Sequence, residues 1–423
     1  MLKRFWRHGS GDVPETQRIV DGCRARGETI QGPDIHRFED AFGSAMDMPS
    51  AVATSSGRMA FAYILKAFNF PPGSEVILPA LTFWAIPEMV RVAGLKPVAA
   101  DVDPRTFTLD PAAFERAITD RTVAVVPTHL YGLPCDMAAI LGLARRHGLA
   151  AIEDCSQALG ARYRGRRVGT FGDAAFFSLQ TLTPLNTYGG GMAVARGAGV
   201  LARIRQQAEA ERWPAKERIE NRLKVETGQR LFSRPRIFSL TAYPAVLATM
   251  LWHVRPDVYL WEPIRSLDPM PDSYRERYTN VQAAIGLAAL PQLDRWNGAA
   301  RANARVMDES LRGLRGVSPP YVPLGCEHVY YQYSVYAPER DALVRKARVR
   351  GIDVETFHAD LWPSLPLFRM KAYAPYAAQA GQVIQLPVHA SLSTAQVGRI
   401  ARRMRSLLSS TPAASEEART DIA

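Results

Sequence analysis

The chain has 423 residues, of which 47% are hydrophobic and 22% charged, so it can bury a large core and is long enough for two domains. Its net charge of +11 comes from basic residues that are spread along the chain and do not alternate with aromatics in one patch, which argues against a nucleic-acid site. A small anionic substrate or an anionic membrane surface fits this charge better.

The cysteines show no paired spacing, which indicates neither a disulfide framework nor a metal site; they are Cys23, Cys135, Cys155 and Cys326. This usage favours a reducing cytoplasm. No stretch approaches the roughly 20 apolar residues that a membrane-spanning helix needs. We therefore expect a cytoplasmic protein that binds no metal.

The first predicted elements lie after a polar N-terminal arm of residues 1–30. A short amphipathic helix is predicted over 33–42 and a strand over 51–54, followed by Ser55-Ser56-Gly57-Arg58 and a helix over 59–68. A strand, a Ser/Gly turn and a helix start together can form an anion cradle, because the first helical turn has free N–H groups. An ordinary capped helix explains this segment equally well.

From residue 75 the pattern changes to alternating strands and helices. Strands are predicted over 76–78, 97–100, 123–127 and 150–153, with helices between them, which favours a mainly parallel sheet covered on both faces. Ligands of such sheets bind beyond the carboxyl ends of the strands. Those ends carry an aromatic plate, a histidine, a carboxylate and hydroxyls: Thr82-Phe83-Trp84, His129-Leu130-Tyr131-Gly132, Asp154-Cys155-Ser156-Gln157 and Ser178.

An insertion of about residues 198–270 follows. It starts with a charged helix over 198–213 and contains an apolar stretch, 231–255, that Pro235 and Pro244 interrupt. This stretch could be an interfacial helix at a membrane surface or a protein-partner surface. Packing against its own fold or at a dimer interface is the favoured interpretation.

The remaining pattern predicts a smaller α+β domain. Helices are predicted over 280–290, 295–314, 340–350 and 394–407, and strands over 329–336, 352–356 and 382–387. We therefore expect a large domain (31–290), a small C-terminal domain (291–408) and a disordered tail (409–423).

Eight motifs follow one another in an order and spacing that resemble the DegT/DnrJ/StrS family of pyridoxal-phosphate sugar aminotransferases, over roughly residues 30–408. They are Ser55-Ser56-Gly57, Pro79-Ala80-Leu81-Thr82-Phe83, Asp101-Val102-Asp103, His129-Leu130-Tyr131-Gly132, Glu153-Asp154-Cys155-Ser156-Gln157-Ala158, Gly169-Thr170-Phe171-Gly172-Asp173, Gln282-Ala283-Ala284-Ile285-Gly286-Leu287 and Leu386-Pro387-Val388-His389-Ala390-Ser391-Leu392. The resemblance implies a fold type I aminotransferase with a mostly parallel sheet. It also implies a homodimer with shared active sites, and a nucleotide-linked keto sugar as substrate.

The resemblance also implies a role for individual residues. Asp154 matches the carboxylate that keeps the cofactor's ring nitrogen protonated, with a helix cap as the alternative. Gln157 matches the residue beside the ring's phenolic oxygen, and Phe83 the aromatic that stacks on the ring. Further positions match phosphate contacts: Ser56, Gly57, Arg58 and Ser178, with Gln180 nearby, and Arg275 where an Asn reaches the neighbouring subunit's phosphate.

One position departs from the family pattern. The fifth residue after the Ser of the central stretch is the Schiff-base lysine in the family, and counting from Ser178 leads to Thr183. No lysine lies between Lys96 and Lys216, so a small shift in alignment cannot supply one. A threonine hydroxyl can neither form a Schiff base nor shuttle the proton of a transamination. Ordinary transamination is therefore expected to be lost or severely slowed.

Three hypotheses follow. The protein could bind pyridoxal phosphate or pyridoxamine phosphate non-covalently and use another base, as the related sugar 3-dehydratases do; the candidates are His129 and Tyr131, with Tyr188 as a weaker one. A structural, hydrogen-bonded role for His129 is an equal alternative. The protein could instead be a catalytically degenerate homologue that acts as a partner, scaffold or regulator. Finally, Thr183 could stand where the natural protein has lysine.

Overall fold

The computed structural model describes residues 13–180, 183–232, 237, 240–241, 243–244, 263–314, 317–337, 339–352, 354–356, 359–371 and 373–409. Its centre is a seven-stranded sheet with the strand order β1-β10-β9-β6-β5-β2-β4. The strands are β1 (Val52–Thr54), β2 (Glu75–Pro79), β4 (Lys96–Ala100), β5 (Thr122–Val125), β6 (Ala150–Asp154), β9 (Ala174–Ser178) and β10 (Gly191–Ala195). Parallel pairing joins β4, β2, β5, β6 and β9, and β10 is antiparallel to both of its neighbours, β9 and β1.

The prediction of an α/β fold with a mostly parallel sheet is confirmed. Because β9 and β10 are antiparallel neighbours, the loop between Ser178 and Gly191 returns at the carboxyl edge of the sheet. Shorter strands lie outside this sheet: β3 (Leu81–Thr82) with β13 (Asp360–Leu361), and β7 (Arg162–Tyr163) with β8 (Arg166–Arg167) and β11 (Cys326–Glu327).

Helices cover both faces of the sheet. They are α1 (Thr16–Ala25), α2 (Asp34–Ala45), α3 (Gly57–Phe68), α4 (Ala85–Val92), α5 (Pro111–Ala117), α6 (Met137–Arg146), α7 (Ala198–Ala210), α8 (Lys216–Phe232) and α9 (Asn280–Ala289). Strand β9 illustrates the two faces, because Phe176 packs in one hydrophobic cluster with Phe61 of α3 and Phe177 in another with Phe42 of α2. Burial on both faces explains the continuous apolar sequence of the strand.

A carboxylate network stabilises the opposite edge, where the parallel strands begin. Glu75, at the start of β2, is 2% exposed and accepts hydrogen bonds from Lys96 and Arg121 and from the hydroxyl of Thr119. Burial alone would raise the pKa of this carboxyl, but these donors outweigh burial and hold its pKa at about 2.

The C-terminal part has its own core. Strands β12 (Tyr333–Tyr336) and β14 (Val383–Leu386) pair antiparallel, and α10 (Leu293–Leu311), α11 (Arg340–Val349), the short α12 (Pro375–Ala378) and α13 (Thr394–Ser409) accompany them. Tyr333, Ile384 and Met404 belong to one buried cluster there. The strand predicted over 352–356 is wrong in its extent, because only Glu355 forms a bridge, to Gln385.

Two long helices, α1 and α8, were not predicted, and neither was the short α12. Helix α1 lies within the expected N-terminal arm, and its Val20 and Cys23 are buried against α9 and α8. Helix α8 follows Pro214 in the insertion and is too rich in charged residues to stand out by apolar spacing. Both helices depend on contacts with distant parts of the chain, which a local pattern does not reveal.

Most of the apolar stretch 231–255 and the expected tail beyond residue 409 lie outside the described residues. Tyr243 is an exception: it is 6% exposed, and its hydroxyl donates to the carbonyl of Arg348 at the C-terminal end of α11. Among the helices of the described ranges, none combines the length and apolarity needed to cross a membrane.

Candidate cofactor site

The start of α3 forms a close backbone junction with three consecutive glycines, Gly189–Gly191, here called the glycine run. The side-chain oxygen of Ser56 accepts a hydrogen bond from the N–H of Met59 (3.4 Å) and caps the helix. Ser56 also forms a bridge with Gly190, and a Cβ added at Gly191 would lie 2.3 Å from the nitrogen of Gly57. Only glycine permits this approach, which sets the helix start against β10.

Ser178 completes this junction at the end of β9. A Cβ added at Gly57 would lie 3.3 Å from the Cβ of Ser178, so the serine is adjacent to the first helical turn. The structure thus brings together Ser56, Gly57 and Ser178, and a helix start with a neighbouring hydroxyl suits a phosphate group. Gln180 is exposed, two residues further along the loop.

Arg58 lies between two aromatic rings. Its guanidinium carbon is 4.8 Å from the ring centre of Tyr274 and 5.5 Å from that of Phe83, and Nη1 donates to the Tyr274 hydroxyl at 2.7 Å. The Ser55 hydroxyl donates to the carbonyl of Tyr274 (2.5 Å). The predicted residues Arg58 and Phe83 are therefore neighbours, and Tyr274 connects both to the helix start.

Two adjacent carboxylates end strand β6, and their surroundings differ. Glu153 is fully buried and accepts three backbone N–H bonds, from Gly169 (2.7 Å), Phe171 (2.7 Å) and Gly172 (2.8 Å). Burial would raise its pKa, but His129 and these N–H groups outweigh burial and lower it. Glu153 is therefore an ionised anchor for the loop at Gly169–Gly172.

Asp154 has much weaker support. It is 4% exposed, and its Oδ1 accepts one backbone hydrogen bond, from Ser156 at 3.0 Å. Burial dominates and raises the pKa of this carboxyl, against the smaller effects of Ser156 and His129. A buried carboxylate with so few donors can gain a protonated ring nitrogen as its partner.

His129 is fully engaged in the structure. The backbone N–H of Cys135 donates to Nδ1 at 3.0 Å, and because an N–H can only donate, the proton of the neutral ring resides on Nε2. Nε2 donates to Glu153 at 3.0 Å, and the side chain has no exposed surface. His129, Glu153 and Cys155 lie close enough to share a metal ion, but the hydrogen bonds of His129 and Glu153 already account for their ligand atoms.

Tyr131 and Gln157 are connected through the backbone. Tyr131 has a φ of 58°, in the left-handed region; its N–H donates to Oε1 of Gln157 (2.7 Å), and its carbonyl accepts from the N–H of Gln332. Its buried phenol contacts Gln385, and burial raises its pKa. With Oε1 committed to Tyr131, the amide nitrogen is the end of Gln157 that is suited to a phenolic oxygen.

Thr183 lies in the loop after β9 and is 5% exposed. Its hydroxyl is 2.7 Å from the carbonyl of Gln180 and 3.0 Å from that of Leu185, so its single proton is donated within the loop. Tyr188, in the same loop, is also buried, and burial raises its pKa to about 12.

Arg275 points elsewhere. It is 60% exposed and pairs with Glu211 at 3.5 Å, and no contact between it and Ser56, Gly57 or Ser178 of the same chain is described. Two further residues of the candidate site had no predicted role: Tyr274, which precedes Arg275, and Glu153, which precedes Asp154.

Comparisons with known proteins identify the family of the chain. The family model described as "DegT/DnrJ/EryC1/StrS aminotransferase family" matches residues 12–215 and 268–405. The chain is 33% identical to a GDP-perosamine synthase of Caulobacter vibrioides over 384 residues, which cover 87% of this chain and 88% of that protein. It is 31% identical to a "pleiotropic regulatory protein" of Geobacillus stearothermophilus, with 88% and 85% covered.

A solved structure shows the same fold. The Streptomyces venezuelae protein DesV, in complex with a ketimine intermediate, aligns with a TM-score of 0.74 and 28% identity over 94% of this chain and 95% of that one. With the match of the family model over most of the chain, these similarities establish that the protein belongs to the DegT/DnrJ/EryC1/StrS aminotransferase family.

Proposed function

We propose that this protein is a catalytically degenerate member of its family, which binds pyridoxal or pyridoxamine phosphate non-covalently and acts as a ligand-binding partner or regulator instead of a transaminase. The observation that carries the proposal is Thr183: a buried hydroxyl that donates its proton within its own loop stands at the position matched to the family's lysine. A nucleotide-linked keto sugar is the proposed second ligand.

The residues present fit the cofactor. Ser56, Gly57 and Ser178 offer a helix start and a hydroxyl for its phosphate. Asp154 forms no ion pair within the described ranges and would hold the ring nitrogen. When bound, the cofactor supplies an electron sink for bonds at the substrate's amine-bearing carbon, and Asp154 keeps that sink protonated.

The described residues of the site do not supply the reactive group that transamination needs. Covalent attachment and proton shuttling need an amine or another base of suitable pKa at the site. The two ring nitrogens of His129 are hydrogen-bonded, and burial raises the pKa of both Tyr131 and Tyr188. This favours the degenerate homologue over a lysine-independent enzyme that uses one of these three residues.

A regulatory role has a precedent in name among the relatives, since the Geobacillus protein is called a pleiotropic regulatory protein. We further propose a homodimer in which Arg275 reaches the partner's phosphate site, because this arginine is exposed and makes no described contact with the site of its own chain. An arginine in that position would bind phosphate through a planar, charged donor pair.

The proposal is tested by trapping and binding experiments on the full chain. We expect pyridoxamine phosphate to bind in calorimetry. We expect no adduct on residues 178–191 in the peptide mass spectrum after pyridoxal phosphate and borohydride, since borohydride fixes a Schiff base and this loop has no lysine to form one. Thr183→Lys is the matched variant, and in it an adduct at position 183 is expected. A trapped adduct in the wild-type site would overturn the proposal.

A second assay separates the remaining hypotheses. Turnover of a nucleotide-linked keto sugar by the wild-type protein with pyridoxamine phosphate would overturn degeneracy in favour of lysine-independent catalysis. Glutamate-dependent amino transfer by Thr183→Lys alone would support a site that has lost a single residue. If neither cofactor form binds the wild-type protein, the non-covalent site is refuted.

A further inference from the structure

Helix α8 belongs to the part of the chain that the family model does not match, residues 216–267. It nevertheless packs directly on the loop of the candidate site. Ile219 and Leu223 of α8 are buried in one cluster with Tyr188 of that loop and with Val281 and Ile285 of α9. Residues of the insertion therefore pack beside the glycine run, and the family pattern does not predict this contact.

Arg222 is the side chain of α8 that contacts this run. A Cβ added at Gly189 would lie 2.7 Å from Nη1 of Arg222, and Gly189 has a φ of 111°. The backbone angle favours glycine here, and the space where a side chain would begin is occupied by the end of the Arg222 side chain. The guanidinium is thus seated against the backbone of Gly189, one residue before the Gly190 that bridges to Ser56.

The charge of Arg222 has no described counterion. No ion pair or hydrogen bond of its guanidinium is found within the described residues, although the side chain is half-buried. Glu276 is paired with Arg218 at 2.5 Å. Burial, followed by repulsion from Arg218, lowers the pKa of Arg222, with smaller opposing effects of Glu226 and Glu276. A half-buried cation without a partner is costly unless an anion completes the site.

We infer that Arg222, with Arg218 beside it, forms a phosphate-binding subsite on helix α8, behind the glycine run and distinct from the phosphate cradle at Ser56. A planar guanidinium presents paired N–H donors that match phosphate oxygens. The phosphate could be inorganic or belong to a nucleotide diphosphate. The phosphate subsite is inferred from the contacts of α8. Only the assignment of that phosphate to a nucleotide rests on the proposed function.

The test uses the full-length protein and measures diphosphate and UDP binding by calorimetry, with uridine as the uncharged probe. Arg222→Gln should weaken diphosphate binding by about tenfold or more, because one charge-assisted hydrogen-bonding group is lost. Lys224→Gln is the matched control, since it removes the same charge from an exposed position of the same helix, and it should change affinity less than about twofold. Arg222→Lys should fall between them.

Several outcomes would overturn the inference. One is unchanged diphosphate binding by a folded Arg222→Gln variant; another is absence of diphosphate binding by the wild-type protein. Equal loss of pyridoxamine phosphate affinity in Arg222→Gln would mean that Arg222 serves the cofactor's own phosphate. A changed oligomeric state with unchanged diphosphate affinity would mean that Arg222 pairs with a carboxylate of a second copy.

The two sources of phosphate are separated by the same data. UDP binding more tightly than diphosphate, with both weakened in Arg222→Gln, supports a nucleotide ligand. Equal affinities support an inorganic anion. Neither result depends on Thr183, so failure of the proposed function and failure of this subsite are distinguishable.

Discussion

The two sides of the end of β6 use the same functional group in opposite ways. Glu153 faces a region in which three backbone N–H groups and His129 satisfy its charge, and its pKa is lowered. Asp154, the next residue, points to the other face of the strand with one backbone donor, and its pKa is raised. The satisfied carboxylate stabilises the loops, and the poorly satisfied one is the carboxylate that we propose binds a ligand.

The difference in hydrogen bonding between Glu153 and Asp154 indicates how a candidate ligand-binding carboxylate can be identified when no ligand is present. Burial alone does not separate the two residues, since both are nearly inaccessible. The count of hydrogen-bond donors does, because an ionised carboxylate with few donors can still gain from a cation.

The largest effect on stability is expected at Glu153, the carboxylate with more hydrogen-bond donors. Glu153→Gln removes the charge that His129 and three N–H groups share and places an amide NH₂ against donors, so we expect a loss of about 3 kcal/mol in the free energy of unfolding. Urea denaturation measures it. Glu115→Gln, which breaks an exposed pair with Arg146, is the control and should stay within about 0.5 kcal/mol. A neutral Glu153→Gln would mean that the network is not structural.

The Asp154→Asn variant tests the second carboxylate of the comparison. A raised pKa in the folded state means that this group favours folding below its unfolded pKa and disfavours it as the pH rises past its folded pKa. At pH 7 the neutral amide should therefore leave the stability of the cofactor-free protein unchanged or higher. Pyridoxamine phosphate affinity should fall by about tenfold, the worth of roughly one charged contact. Lower stability with full affinity would reverse the roles assigned to the two carboxylates.

Glu75 extends the comparison to a buried carboxylate whose charged partners are exposed. Its folded pKa of about 2 lies below the ordinary value, so its stabilisation is complete above the unfolded pKa and is lost as the pH falls towards 2. Glu75→Gln should cost about 1 kcal/mol at pH 7, after allowance for screening of exposed Lys96 and Arg121. Stability measured from pH 7 to 3 should show the variant and the wild type converging at the acid end, and parallel curves would contradict this.

The smallest effect is expected from Ser178→Ala, which removes one hydroxyl from the phosphate cradle. One neutral hydrogen bond corresponds to about two- to fivefold in pyridoxamine phosphate affinity. Ser409→Ala is a matched loss of a hydroxyl, because it removes an exposed hydroxyl that donates to the carbonyl of Ser406 at the end of α13. A loss in Ser178→Ala greater than in Asp154→Asn would move the main binding contribution to the phosphate end.

The sequence predicted the fold through local signals. The alternation of strands and helices between residues 75 and 178 can be predicted from the local spacing of apolar residues. In the structure these strands belong to the seven-stranded sheet. The resemblance to the family also grouped Ser56, Gly57 and Ser178 in advance, and in the sheet β10 lies between the two strands that carry them, β1 and β9.

Other features depend on contacts that no local pattern encodes. The position of Arg58 follows from Tyr274, which is 216 residues away, and the closed environment of His129 follows from Cys135 and Glu153. Helix α8 was missed because its burial is confined to a few positions on one side, such as Ile219 and Leu223.

The glycine run has an evolutionary consequence. A side chain at Gly191 is excluded by the backbone of Ser56 and Gly57, and one at Gly57 would press on the backbone of Phe177 and Ser178, so the shape of the proposed cradle is encoded in the main chain. Thr183, which we propose stands at the position of the family's lysine, is in contrast an ordinary side chain in a loop whose own hydrogen bonds accommodate threonine. Under the proposed function, a single exchange at this position would remove the Schiff-base chemistry and leave the binding surface unchanged, so that a former enzyme could serve as a sensor.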